Sequence, residues 1–224
     1  MTIGEYFGDW SRLVDLNEVK RIINNLPKDI CPRKKDIFKA FNLCPLKDLR
    51  VVIIGQDPYN NLRNEVPVAT GIAFANPKDM VEPFSPSLEI LKESVIDYTR
   101  PHRIVTFDQS LEKWEEQGVL MLNSALTVPV GGIPGSHMLM WRNFMTTLLK
   151  NLSLHTVGIV YVLMGSSAQS LESCINTRFN HVIRCRHPSY YARAKTIMPS
   201  DVWKDINTIL IGMNGYGIKW YEEV

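Results

Sequence analysis

Gln56, Asp57 and Tyr59 put a carboxamide, a carboxylate and a phenol within four residues, directly after the apolar run Val51-Val52-Ile53-Ile54 and a glycine, Gly55. Such a cluster can hold charge and exchange hydrogen bonds with a ligand. Four β-branched residues in a row read as a strand buried on both faces. Gly55, followed three residues later by Pro58, forces the chain to turn there. The polar cluster therefore sits where the carboxyl end of a strand leaves its sheet, which is the edge at which open α/β sheets bind ligands. Asp57-Pro58 alone is an ordinary turn pair. A functional reading depends on similar groups ending other strands.

Three more strands end in that way. Val119-Leu120-Met121-Leu122 runs into Asn123, Val157 to Met164 runs into Gly165-Ser166, and His181 to Arg186 runs into His187-Pro188-Ser189. Helical periodicity lies around them. One helix spans about Ser11 to Leu26 and stops at Pro27, and a second ends in Asp36-Ile37-Phe38-Lys39-Ala40-Phe41. A third runs from an N-cap at Ser87 to about Tyr98. A short helix holds Trp114 and closes at Gly118, and further helices cover Leu139 to Leu152, Ala168 to Cys174 and Ser200 to Ile211. Gly71 to Ala75 reads as a short strand-like piece. Strands alternating with helices predict crossover connections and a mainly parallel four-stranded sheet flanked by helices, an α/β fold in a single domain over residues 1–224. All four strand ends then share one rim.

Gly55-Gln56-Asp57-Pro58-Tyr59, Leu122-Asn123, Gly165-Ser166 and His187-Pro188-Ser189, in this order, resemble family 1 uracil-DNA glycosylase, and the likeness extends from about Pro32 to Trp220. The resemblance implies an enzyme that hydrolyses the N-glycosidic bond of uracil in DNA and leaves an abasic site for base excision repair. It needs no metal or organic cofactor. A base inside a duplex must first be extruded into a pocket that reads its Watson–Crick edge. Bond cleavage then leaves positive charge on the sugar and negative charge on the departing base.

By that resemblance Asp57 is the carboxylate beside the sugar, and His187 donates a hydrogen bond to uracil O2. Asn123 can offer an N–H to O4 and a carbonyl to N3–H, the pattern that cytosine reverses. Phe74 stacks on the flipped base, Tyr59 walls off C5 against the methyl group of thymine, and Gln56 is a backbone- and water-holding position. Ser87, Ser189 and the helix start at Gly165-Ser166 resemble phosphate contacts. Ser136-His137 fits the family's minor-groove region more weakly.

Two departures stand out. Asn60 to Pro67 replaces the family's usual His and Gly-Pro-Gly-like turn and is longer. Tyr190-Tyr191-Ala192-Arg193 stands where the family has Pro-Leu-Ser, so Tyr191 falls at the position of the leucine that wedges into the duplex, with Arg193 and Lys195 adding positive charge. An aromatic side chain can stack as well as fill space.

Composition restrains the reading. The 25 Lys and Arg barely outnumber the 23 Asp and Glu, so net charge by itself does not point to nucleic acid. Cys31, Cys44, Cys174 and Cys185 form no C-x-x-C pair, which speaks against a zinc site or iron–sulfur cluster and for a reducing compartment. The start, Met1-Thr2-Ile3-Gly4-Glu5, has no leader-like pattern, and no apolar run is long enough to span a membrane. The expectation is a soluble intracellular monomer, cytoplasmic or nuclear, acting on single- or double-stranded DNA and open to a proteinaceous inhibitor or a replication partner. Two alternatives stay open: a catalytically weak DNA-binding module of this fold that tethers a replication or repair partner, and an enzyme whose 60–67 segment admits a 5-substituted uracil, against which Tyr59 argues.

Overall fold

A computed structural model describes residues 7–99 and 105–223; the stretch from Met1 to Glu5 lies outside them. The four expected strands form one sheet: β1 is Val51–Gly55, β2 Val119–Asn123, β3 Val160–Met164 and β4 His181–Cys185. Their order is β2-β1-β3-β4 and every pairing is parallel. Side chains of a strand alternate between faces, so the three buried strands divide the core in two. Val52, Ile54, Leu120, Leu122, Tyr161 and Leu163 enter one apolar layer. Val51, Ile53, Val119, Met121, Val160 and Val162 enter the other.

Helices cover both faces. On the first lie α1 (Leu16–Asn25), α2 (Lys39–Leu43) and α5 (Met138–His155), contributing Ile22, Phe41, Trp141 and Leu148 to the core. On the second lie α3 (Pro86–Thr99), α4 (Glu112–Glu115) and α8 (Asp201–Asn214), with Leu91, Trp114, Trp203 and Trp220 packed together. At the rim sit α6 (Ser166–Gln169) and α7 (Pro188–Ala194), the latter unforeseen in the sequence. No helix among the described residues is long and apolar enough to cross a membrane.

Several boundaries differ from the sequence expectation for local physical reasons. The first helix begins at Leu16 because the Asp15 carboxylate accepts from the N–H groups of Asn17 and Glu18 and caps it there; Gly8–Arg12 is a separate 3-10 turn. The second is broken into a 3-10 turn, Lys34–Asp36, and the short α2. The third starts at Pro86, one residue before Ser87, with the Ser85 carbonyl accepting from Leu88 and Glu89. Ser87 is thus inside the first turn, and its expected capping role falls to Ser85. Gly158, at φ +77°, delays β3 to Val160, and β4 ends at Cys185, one residue earlier than expected. The Ala168–Cys174 helix is two pieces, α6 and a 3-10 turn at Glu172–Cys174.

Gly71 to Ala75 is not a strand. Left-handed backbone at Gly71 (φ +89°) and Phe74 (φ +66°) interrupts any extended run. Only Ala73 N–H reaches the sheet, donating to Met121 O at 3.2 Å. The other outward group of Met121, its N–H, donates to the buried Glu115 Oε1 at 2.9 Å. The segment after Tyr59 closes into a hairpin, Leu62–Arg63 against Val66–Pro67, with Asn64 and Glu65 both at positive φ as a two-residue primed turn requires.

Candidate active site

The parallel register sets the rim. Gly55 lies opposite Asn123, and Met164 opposite Cys185, so the polar residues that follow these strands emerge side by side. Asp57, Tyr59, Phe74, Ser87, Asn123 and His187 line a single cavity there. The loop after β2 is tied back over the end of β1: Ser124 N–H and Oγ both donate to Gly55 O, at 3.0 and 2.9 Å, and Ala125 N–H donates to Gln56 O at 3.0 Å.

Among the described residues Asp57 is held by one oxygen only. Its Oδ2 accepts from Gln56 Nε2 at 2.8 Å and from Gly135 N–H at 2.9 Å, while Oδ1 is buried without a hydrogen-bond partner. Buried polar atoms are ordinarily satisfied, so an orphaned carboxylate oxygen beside a cavity is an acceptor open to a water or a ligand. Burial pushes this carboxyl above its ordinary value; the Gln56 and Gly135 hydrogen bonds, and His137 nearby, oppose the rise and favour the anion.

Gly55 has a second duty besides ending the strand. A Cβ there would lie 2.6 Å from Asn123 Oδ1 and 2.7 Å from Phe74 Cζ, so the missing side chain is what lets the amide and the ring meet over the backbone. Among the described residues the Asn123 side-chain amide has no hydrogen-bond partner, which leaves its donor and acceptor free. Phe74 is 6% exposed and sits in the left-handed region, where a bulky residue is strained and which recurs at functional sites. Tyr59 Oη donates to the Phe74 carbonyl at 2.8 Å and so locks one wall of the cavity to the other.

His187 has a defined tautomer. Ser189 N–H donates to its Nδ1 at 3.2 Å and Ser189 Oγ lies 2.9 Å from the same atom, so Nδ1 is an acceptor and the proton of the neutral ring resides on Nε2. Burial, with Arg193 adding positive charge, pulls the imidazole down to about 4, which keeps it neutral. Its ring packs on Phe74 at a centroid distance of 5.4 Å. Gly165 makes this possible, because at φ +88° it accepts left-handed backbone and a Cβ there would sit 2.8 Å from His187 Cβ.

The remaining expected residues lie outside the cavity. Ser166 is exposed at the start of α6. Ser189 Oγ accepts from Arg193 Nη1 at 3.3 Å. Tyr191 is half-buried against the second core layer, whereas Tyr190 is 41% exposed with the Arg186 guanidinium 4.3 Å from its ring centroid. Ser136 is exposed, and His137 is buried with Nδ1 2.9 Å from Thr127 Oγ1. Sequence reasoning missed Gly135, Arg186 and the clearance at Gly55. A backbone N–H carries no sequence signal of its own.

A family model for the uracil DNA glycosylase superfamily matches residues 41–210. The chain is 33% identical over 195 residues to a uracil-DNA glycosylase of Streptococcus pyogenes, covering 86% of this chain and 84% of the relative. It is 35% identical over 198 residues to one from Buchnera aphidicola, covering 88% and 86%. Among solved structures, the mimivirus uracil-DNA glycosylase superposes with a TM-score of 0.76 at 24% identity, over 98% of this chain and 93% of that one. A mimivirus UNG variant in complex with UGI gives a TM-score of 0.77 at 25% identity, over 96% and 82%.

Proposed function

From the premise that this chain belongs to the uracil-DNA glycosylase superfamily, we propose how its rim carries out the reaction. The protein hydrolyses the N-glycosidic bond of uracil in DNA. The bond between C1′ and N1 breaks with its electron pair leaving on the base, while water oxygen adds to C1′ and gives up one proton to the Asp57 carboxylate. Asp57 Oδ1 faces the sugar, stabilises the oxocarbenium-like centre and orients the water, while its other oxygen stays anchored. The neutral His187 donates Nε2–H to uracil O2, where negative charge grows; a preorganised donor is effective there without being charged. Asn123 reads O4 and N3–H, Phe74 stacks on the base, and Tyr59 closes the C5 side. Gln56 holds Asp57 in its working orientation.

Ser87, Ser189 and the Gly165-Ser166 start of α6 take the DNA backbone, assisted by Arg193 and Lys195. Tyr191, at the family's wedge position, fills the space that the flipped nucleotide leaves, with Tyr190 beside it in edge-to-face contact at 5.3 Å. The hairpin at Leu62–Pro67 lifts the extra residues out of the site, so Tyr59 and Ala69 on either side of it both still line the cavity; this favours uracil over 5-substituted bases. We take residues 1–224 as one domain acting as a monomer where DNA is found, in cytoplasm or nucleus. By analogy with the mimivirus UNG–UGI complex, a proteinaceous inhibitor covering the rim would block it.

The observation that carries this reading is the convergence of an unpartnered Asp57 oxygen, a free Asn123 amide and a tautomer-defined His187 on one cavity. The test is release of free uracil from a uracil-containing oligonucleotide without added metal. Binding without base release would instead identify a DNA-tethering module.

A further inference from the structure

The Gly135 N–H that holds Asp57 belongs to a segment whose bonds to its own neighbours are local turn bonds, Gly132 N–H to Pro129 O, Ser136 N–H to Ile133 O and Met138 N–H to Gly135 O. Gly131-Gly132-Ile133-Pro134-Gly135 contains three glycines, two of them at positive φ, and the Ile133 side chain at its tip is 80% exposed. Glycine-rich backbone has more freedom to lose than any other, and an exposed tip gains little from packing. Yet Gly135 N–H must stay at 2.9 Å from Asp57 Oδ2. Asn60, three residues beyond Asp57 in the same turn, grips this segment twice. Its side-chain Nδ2 donates to Gly132 O at 2.6 Å, and its carbonyl accepts from Gly131 N–H at 2.7 Å.

We propose that Asn60 is a positioning residue that clasps the 131–135 segment and thereby fixes the Gly135 N–H on Asp57. The proposal rests on the reading of Asp57 as the group beside the sugar. Asn60 stays remote from the base; its effect passes through the segment to the anchored oxygen, and so to the aim of the free one. A small misplacement of a reacting group is expensive in rate even when binding is unchanged. The clasp therefore acts on kcat more than on KM.

The titratable groups around Asp57 are His137, which follows the glycine segment, and Tyr59 and His187, which line the same cavity. The Gly135 hydrogen bond favours the Asp57 anion, so its loss moves the acidic limb of the kcat/KM profile to higher pH.

The experiment compares Asn60→Ala, Asn60→Asp and Asn60→His on a single-stranded uracil oligonucleotide, with melting temperatures and Gly135 amide exchange measured alongside. Asn60→Asp has the parent's size but lacks the donor at neutral pH; Asn60→His restores an N–H close to the amide position. Asn60→Ala and Asn60→Asp should each lower kcat about three- to tenfold, with KM within about twofold, the scale of one hydrogen bond. Their acidic limb should rise by about half to one pH unit. Gly135 amide exchange should quicken, and Asn60→His should recover most of the rate. Parental kcat and limb in Asn60→Ala, or a loss matched wholly by a lower folded fraction, would overturn the proposal. If Asn60→Ala does not fold, Asn60→Asp decides by the same measures. An inactive parent would overturn the glycosylase reading alone, since Gly135 exchange still reads the clasp: faster exchange in the variants supports it, and unchanged exchange overturns it.

Discussion

The inner strand β1 and the edge strand β4 both end at the site, and they are built differently. All five residues of β1 are buried, and the turn that follows is tied at Gly55 and Gln56 to the loop after β2 and at Asp57 to Gly135. Strand β4 has exposed His181 and Arg184 and half-buried Val182, Ile183 and Cys185. Its His187 is held by hydrogen bonds from its own helix and by a ring contact with Phe74. On the proposed reading the difference separates two tasks, with His187 serving the first from the outer end. Reading a base and aiming a carboxylate need fixed atoms, which a buried strand with many ties provides. Gripping a long polyanion needs exposed cations and aromatic rings, which an edge strand and its following helix can present.

Substitutions test this division, starting with the largest effect. Asp57→Asn preserves shape but removes the charge proposed to lie beside the sugar, and single-turnover base release should slow by more than about a thousandfold, beyond the ~10²–10³ that one lost donor costs. DNA affinity should stay close to the parent's; a parallel fall in affinity would mean that the inner strand also grips. His187→Ala should cost about 10²–10³ in the same step. Because the folded ring is held near 4 against an ordinary 6.5, the unfolded chain takes up the proton first as pH falls, so His187 lowers stability across that window while the rate shows no His187 titration near 6.5. A rate inflection there that disappears in His187→Ala would break the neutral-donor assignment.

Gly55→Ala probes how rigid the inner end is. The new methyl group would crowd Asn123 Oδ1 and Phe74 Cζ, and an overpacking cost of ~1–3 kcal/mol falling on the site means about a 10- to 100-fold drop in kcat/KM. A near-normal value would show that the pocket walls yield. The smallest expected effect belongs to the outer end. Tyr191→Ala should slow excision from a duplex about tenfold and hardly affect a single strand, where the unstacking cost of a few kcal/mol is largely absent. Tyr190→Ala is measured beside it: if only that variant shows the duplex-selective loss, the exposed ring is the wedge and Tyr191 is a packing residue.

This same division explains what could be read from the sequence. The buried strands declared themselves through Val51 to Ile54, Val119 to Leu122 and Val160 to Met164, because burial on both faces leaves a chemical signature in every residue. Their polar ends, Asp57 and Asn123, were legible with them. Elements fixed by backbone geometry were not. Gly71 to Ala75 has strand-like composition, but its left-handed Gly71 and Phe74 depend on the cavity they enclose. Helix α7 and the exposure difference between two adjacent tyrosines depend on packing against α3 and the second core layer, which no local pattern encodes.

The two hydrogen bonds at Met121, from Ala73 N–H and to the Glu115 carboxyl group, have a consequence for how molecules of this protein meet. A strand at the border of a sheet is a template on which another chain can extend the ladder. At β2 the midpoint of that template is already occupied on both its donor and its acceptor, beside the base pocket. Edge-to-edge association at this border must first break those bonds and strip a buried carboxyl group of its partner. The opposite border, β4, has its Arg184 engaged in an ion pair with Glu172, a charged bulwark of the kind that discourages sheet extension. Both margins of the sheet thus resist aggregation, one by internal satisfaction and the other by charge.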